Sequence, residues 1–357
     1  MKPCFEKSEW FVQCVGIDIS KDKFTACLCM ADITHEQYSE VREFANTKTG
    51  FNQMIKWSRK EAIKDVPIRY LMEPTGVYYE PLAYHLHRHI TKDVYVVLVT
   101  MARSFAKYKG IKTKTDEVDA RVLASLGCTE RGLSPWNPPA PVYLQLRQLT
   151  RHHTGLKKMH GILLNKQEAA THAEEMPDFI LNQYTSLIES VEVQIREVEV
   201  AIKKLVDEDA TLKENINRLM TVKGLGFMTI VIIIAETNGF EFVHSRKQLA
   251  SYAGLDVVAK ASGTQDPRHV ISKHGNEHLR TALYFPAVAA IRSNEYIREP
   301  YERITTRNPK VKKIGIIAMM RKLLLLTYTL WKNGEVYTPE KYIKKEATIA
   351  DRPHEIE

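Results

Sequence analysis

Four prolines, Pro135, Pro138, Pro139 and Pro141, fall within seven residues and divide the chain into stretches of different periodicity. Proline lacks the N–H that a ladder or a helix interior needs, so the cluster marks a boundary. Before it, residues 12–19, 24–30 and 41–45 are rich in β-branched and aromatic side chains and separated by polar turns, which predicts a three-stranded meander. A helix over 51–63, a strand over 68–72, a helix over 79–88 and a strand over 94–99 follow. A further helix is expected over 115–126, capped by Thr115 ahead of Asp116 and Glu117. Strands alternating with helices imply a parallel portion and an α/β layer.

Beyond the prolines, residues 142–212 read as helical with a break at Pro177. Ile188, Val191, Ile195, Val198, Ile202 and Leu205 recur at alternating intervals of three and four, an a/d seam with charged flanks. The seam predicts a coiled-coil-like arm that packs on itself or on a partner subunit, and self-association with it. Residues 217–331 are expected to be mostly helical, interrupted by loops over 254–275. The fold class is therefore α/β plus α, with domains expected at 1–135, 142–215 and 216–335 and a tail at 336–357. A chain of 357 residues exceeds what one core usually organises.

Lys and Arg total 51 against 43 Asp and Glu, a net charge of +8 that favours a polyanionic partner, nucleic acid first. The longest apolar run, 225–235, is too short to span a bilayer, and the run over 314–326 is broken by Arg321 and Lys322, so no membrane segment is expected. The N-terminus carries no export pattern, which places the chain in the cytoplasm. Five cysteines without zinc-ligand spacing read as reduced small hydrophobes.

Strand alternation sends Val15, Ile17 and Ile19 to one face and Asp18 to the other, where it is either a water-facing strand aspartate or a ligand. Glu73 ends the strand 68–72 just before Pro74. Asp116 and Asp119 are three apart and share a helical face. Four carboxylates from a first strand, a later strand end and a following helix are what a magnesium-dependent phosphoryl-transfer site requires, with two ions able to stabilise attacking and leaving oxygens. Residues 101–115 hold Arg103, Lys107, Lys109, Lys112 and Lys114, interleaved with Phe105 and Tyr108 and free of acids, which suits a nucleic-acid groove. Residues 142–167 are likewise acid-free, and Arg147, Arg151 and Lys158 fall on one helical face. The glycines of 222–227 resemble the hairpin of a helix-hairpin-helix motif. Ser262 lies in a basic loop ahead of Arg268, Ser272, Lys273 and His274, where Lys273 is a further candidate phosphate contact.

Together, Gly16-Ile17-Asp18-Ile19-Ser20-Lys21, Glu73-Pro74-Thr75-Gly76, residues 114–120, Ser262-Gly263, Ile271-Ser272-Lys273-His274-Gly275-Asn276 and Leu279-Arg280 resemble the DEDD-type insertion-sequence transposases of the IS110 family. The resemblance implies a RuvC-like, RNase H-type N-terminal domain whose Mg²⁺-binding tetrad is Asp18, Glu73, Asp116 and Asp119. It also implies a C-terminal transposase domain with Ser262 as nucleophile. DNA strand exchange through a covalent phosphoserine, a noncoding bridge RNA as guide, and assembly into dimers and then tetramers follow from it as expectations. Ala261 stands where the family often has a polar residue, and other hydroxyls share the loop.

Two rivals share these residues. A RuvC-like nuclease or junction resolvase would use water in place of serine, and a noncatalytic nucleic-acid-binding scaffold would keep the acids without cleavage.

Overall fold

The computed structural model describes residues 12–342 except 33, 75, 242, 261–267 and 308; for 259, 260, 268 and 269 it describes the backbone. The chain divides between Pro138 and Pro139 into two compact units.

The first unit is built on one mixed sheet. Its elements are β1 (Val12–Ile19), β2 (Lys23–Ala31), β3 (Glu36–Tyr38), β4 (Arg42–Ala45), α1 (Lys48–Glu61), β5 (Ile68–Met72), α2 (Glu80–His89), β6 (Val94–Val96), α3 (Val99–Tyr108) and α4 (Asp116–Thr129). The strand order is β3-β2-β1-β5-β6, with β4 also on β2. β1 and β2 are antiparallel, β1 and β5 parallel, β5 and β6 parallel. Such a mixed sheet is consistent with an RNase H-like domain. One face packs Val15, Ile17, Ile19, Phe24 and Leu28 against Phe51, Met54 and Leu82 of α1 and α2. The other packs Cys14, Cys27, Cys29 and Leu71 against Ala120, Leu123 and Ala124 of α4. Cys14, Cys27, Cys29 and Cys128 are buried free thiols of that second layer; Cys4 lies outside the described residues.

Two expectations are corrected here. The strand expected over 94–99 stops at Val96, and residues 99–108, where no helix is expected from the sequence, form helix α3. Met101, Ala102 and Phe105 fall on one face of α3 and join the α4-side core, which overrides the polar composition of the segment.

The second unit holds α5 (Pro141–Thr171), α6 (Asp178–Asp207), α7 (Ala210–Met220), α8 (Phe227–Thr237), α9 (Arg246–Tyr252), β7 (Val257–Lys260), β8 (Arg268–Ile271), α10 (Glu277–Ser293), α11 (Glu295–Arg307) and α12 (Lys312–Asn333). The two strands form an antiparallel pair inside the stretch expected to be loop-rich. Helices α5 and α6 pack side by side, and Ile188, Val191 and Ile195 of the seam are buried. Leu156 of α5 meets Val191 and Ile195, while Ile202 joins the core of the unit. The seam therefore closes within one chain and does not itself provide a face for self-association. His153 and His160 of α5 meet Glu199 and Glu192 of α6 at 2.8 and 3.1 Å, so these two histidines tie the hairpin together.

By length and composition α12 could cross a bilayer. Here its Met319, Leu323, Leu324 and Leu330 are core residues of a helix packed with α10 and α11. In the α7–α8 turn, Gly224 has φ +99° and a Cβ there would lie 2.5 Å from Ala290 Cβ. This glycine serves helix packing, whatever role the turn has toward a phosphate.

Candidate active site

Gly16 sets the geometry of the acidic cluster. A Cβ at this position would lie 2.0 Å from the Ala124 nitrogen and 2.3 Å from the Ala120 carbonyl oxygen, so α4 lies on β1 in backbone contact. At Gly127 a Cβ would strike Cys14 Sγ at 2.2 Å. Ala120 and Ala124 thus cover Gly16, and Gly127 covers Cys14: α4 runs back along β1, with its first turn beyond Gly16 at the strand's C-terminal end. Two residues after Gly16, on the same face, stands Asp18. β5 pairs in parallel with Ile17 opposite Met72, which brings Glu73 beside Asp18. The N-terminus of α4 delivers Asp116 and Asp119 to the same edge, with Thr115 Oγ1 accepting the Val118 N–H at 3.3 Å as the cap.

The carboxylates act on one another. Partial burial and then the charges of Asp116 and Asp119 push Asp18 up from its ordinary 3.8 to about 6. Burial, Asp18 and Asp119 raise Glu73, against the pull of Arg103 and Lys114. Asp119 is raised by burial and by Asp116, with Lys114 and Arg103 opposing. Such concentrated charge in a half-buried cleft marks functional sites. All four donors are hard carboxylate oxygens, the set that suits a divalent Mg²⁺-like cation. As they stand, no three His, Cys, Asp or Glu side chains among the described residues form a group that could hold a metal ion.

Beside the acids lies a cleft of about 210 Å³ lined by Glu73, Arg103, Lys107, Lys112, Lys114 and Asp119. The structure thereby brings two of the predicted acids and four of the predicted basic residues around one opening. The fifth, Lys109, donates to Glu36 Oε1 at 2.8 Å, and Glu36 also takes Ser125 and Thr129 of α4. Burial pushes Glu36 up, but the hydrogen bonds from Lys109, Tyr38 and Ser125 more than offset it and hold its carboxyl below the ordinary value. Lys109 is thus an internal tie of the basic segment.

The predicted residues of the second unit fall in different settings. Arg147 is half-buried and Lys158 exposed. Arg151 grips Glu236 with Nε at 2.7 Å and Nη2 at 2.9 Å. Asn276, which caps α10, donates to the same carboxylate at 2.6 Å. Burial alone would push Glu236 up; Arg151 and Asn276 hold it below the usual range. Lys273 is exposed with φ +55°, and Gly275 beside it leaves a Cβ no room against the Tyr252 carbonyl at 2.5 Å. Ser272 donates its hydroxyl to Asp256. Ser262 and Thr264 lie outside the described residues.

Sequence reasoning did not single out three residues that organise these sites. A glycine inside a strand signals close backbone approach, which would have found Gly16. Glu236 ends an apolar helix and Glu36 opens a short strand, and neither has a local signal of its long-range partners.

The DEDD transposase family of IS110 elements matches residues 15–170, and the transposase IS116/IS110/IS902 family matches residues 216–302. A pilin gene-inverting protein of Moraxella lacunata is 29% identical over 327 residues, 90% of this chain and 97% of its own length. A pilin gene-inverting protein of Moraxella bovis is 30% identical over 325 residues, again 90% and 97%. An uncharacterized protein of insertion element IS110 from Streptomyces coelicolor is 23% identical over 160 residues, 45% of this chain and 38% of its own.

Proposed function

The chain belongs to the IS110 family of transposases, enzymes that act on DNA, and from that premise we propose a strand-exchange reaction run by two sets of its residues. The observation that carries the proposal is the convergence of Asp18, Glu73, Asp116 and Asp119 beside a basic cleft, where burial and neighbouring carboxylates raise the proton affinity of Asp18, Glu73 and Asp119. DEDD transposases depend on divalent metal, and these four carboxylates are the residues that would hold it, as two Mg²⁺ ions. Bound there, the metal would offset charge on the scissile phosphate and on the attacking and leaving oxygens. Arg103, Lys107, Lys112 and Lys114 align the DNA backbone along the cleft.

In this reading the Ser262 hydroxyl supplies the nucleophile. Its oxygen bonds to phosphorus, the bond from phosphorus to the leaving deoxyribose oxygen breaks, and the serine proton ends on the released hydroxyl. The phosphoserine ester keeps the energy of the broken bond, so rejoining to a different strand end needs no nucleotide cofactor. Exchange at two ends moves or inverts the segment between them, the outcome that the names of the Moraxella relatives describe for those proteins. A bridge RNA chooses the partners, and two or four subunits in the cytoplasm complete the assembly. Its domains are then residues 1–135 for the metal site, 142–215 for the arm, 216–335 for the serine, and a tail over 336–357.

Denaturing electrophoresis after incubation with Mg²⁺, guide RNA and DNA of the element's ends tests the reading. The wild type should form a covalent protein–DNA adduct and Ser262→Ala none. Free cleaved ends from Ser262→Ala would make water the nucleophile. An adduct persisting in that variant would move the role to Ser272, whose hydroxyl already donates to Asp256, or to Thr264.

A further inference from the structure

A second cleft lies wholly within the helical unit and takes no part in the chemistry above. Its volume is about 410 Å³, and its walls include Arg246 at the start of α9, Tyr296 and Arg303 of α11, Arg321 and Lys322 of α12, and Tyr342. Lys341 and Glu335 complete the charged lining; Glu335 is its one carboxylate and takes Lys341 at 2.7 Å. Five cations against one acid that is already bridged leave the cleft strongly positive, so its complement is an anion.

The cations are arranged by the fold. Arg246 Nη2 donates to Thr329 Oγ1 of α12 at 2.9 Å, which holds the guanidinium at the rim. Nε of Arg321 is buried and has no hydrogen-bond partner. A buried N–H without an acceptor is costly, and an incoming oxygen would satisfy it. Lys322 Nζ stands 3.7 Å from the centroid of the Tyr296 ring, and Tyr296 and Tyr342 have centroids 5.6 Å apart. Cations and aromatic faces share one wall, the pairing used to hold a phosphate together with its base. The volume matches one small ligand and cannot admit a double helix.

We propose that this cleft binds one unpaired nucleotide of a DNA strand, its phosphate against Arg246, Arg303 and Arg321 and its base on the tyrosine wall. The assignment of DNA rests on the strand-exchange reading. It adds a point at which the helical unit itself grips a single strand.

The test uses the full chain in chelator, so that no cleavage occurs, and fluorescence anisotropy with a single-stranded DNA 12-mer, the same sequence as RNA, and a DNA duplex. Arg246 and Arg303 are both exposed, so Arg246→Ala/Arg303→Ala should keep the wild-type thermal midpoint. It should bind the single strand at least about fivefold more weakly, and the salt slope should fall by about 0.7 for the one phosphate no longer neutralised. Duplex affinity should stay within about twofold, and Arg246→Lys/Arg303→Lys should recover most of the slope. Unchanged single-strand binding, an equal loss for duplex, or a loss confined to RNA would overturn the proposal. A failure of the strand-exchange reading shows separately, as absent cleavage with Mg²⁺ while the binding loss persists.

Discussion

Asp18 and Glu236 are both acids shielded from water, and the fold treats them oppositely. Asp18 is pushed up to about 6 by burial and by two neighbouring aspartates. Glu236, more deeply buried, is held below its ordinary value by a two-bond guanidinium clamp and an asparagine amide. The helical unit thus neutralises its buried charge internally, as structure requires. The sheet unit instead gathers like charges at the end of β1, which costs stability and makes sense only if a cation or a substrate offsets it.

The largest expected effect breaks the sheet-unit side. Asp119→Asn should lower Mg²⁺-dependent strand cleavage at least about a hundredfold while circular dichroism stays unchanged. Next comes the helical unit: Arg151→Ala strands Glu236 without its clamp and should cost about 2 to 3 kcal/mol in denaturant unfolding, with no direct loss at the acidic site. Retained stability in that variant would show that Asn276 alone suffices for Glu236.

Asp18→Asn should have the opposite sign. Its folded pKa lies above the ordinary value, so the stability contributed by the protonated carboxyl is complete below pH about 4 and is lost as the pH rises through about 6. The variant should therefore be more stable than the wild type at pH 8, by about 1 kcal/mol after allowance for solvent screening, and equal to it near pH 4. Thermal melts across that range decide it; a variant less stable at pH 8 would deny the repulsion.

Smaller still is the contrast among the lysines. Lys107→Gln/Lys112→Gln should flatten the salt dependence of DNA binding by about 1.5, whereas Lys109→Gln should leave it nearly unchanged because its ammonium serves Glu36. A fall of about 0.8 for Lys109→Gln, half that of the double variant, would place all three lysines on the DNA.

What was legible in the sequence follows local physics. Alternation around Asp18, the turn at Pro74 and the cap at Thr115 are encoded within a few residues, and so the strands that position the acids could be anticipated. The a/d seam was visible too, but periodicity reports that a face is apolar and not which helix covers it; α5 does so within the chain. Helix α3 hid behind Arg103 and Lys107, because its apolar face is narrow. Partners 85 residues apart, such as Arg151 and Glu236, leave no local trace at all.

The central claim is that the four carboxylates of the sheet unit form a divalent-cation site. Mn²⁺ and Mg²⁺ titrations of the full chain, followed by its thermal midpoint at pH 8, test it against Asp18→Asn/Asp119→Asn. The wild type should gain a saturable rise, since a ligand that binds only the folded state stabilises it, and the double variant should gain none. An equal rise in both proteins, or no rise in the wild type, would contradict the assignment.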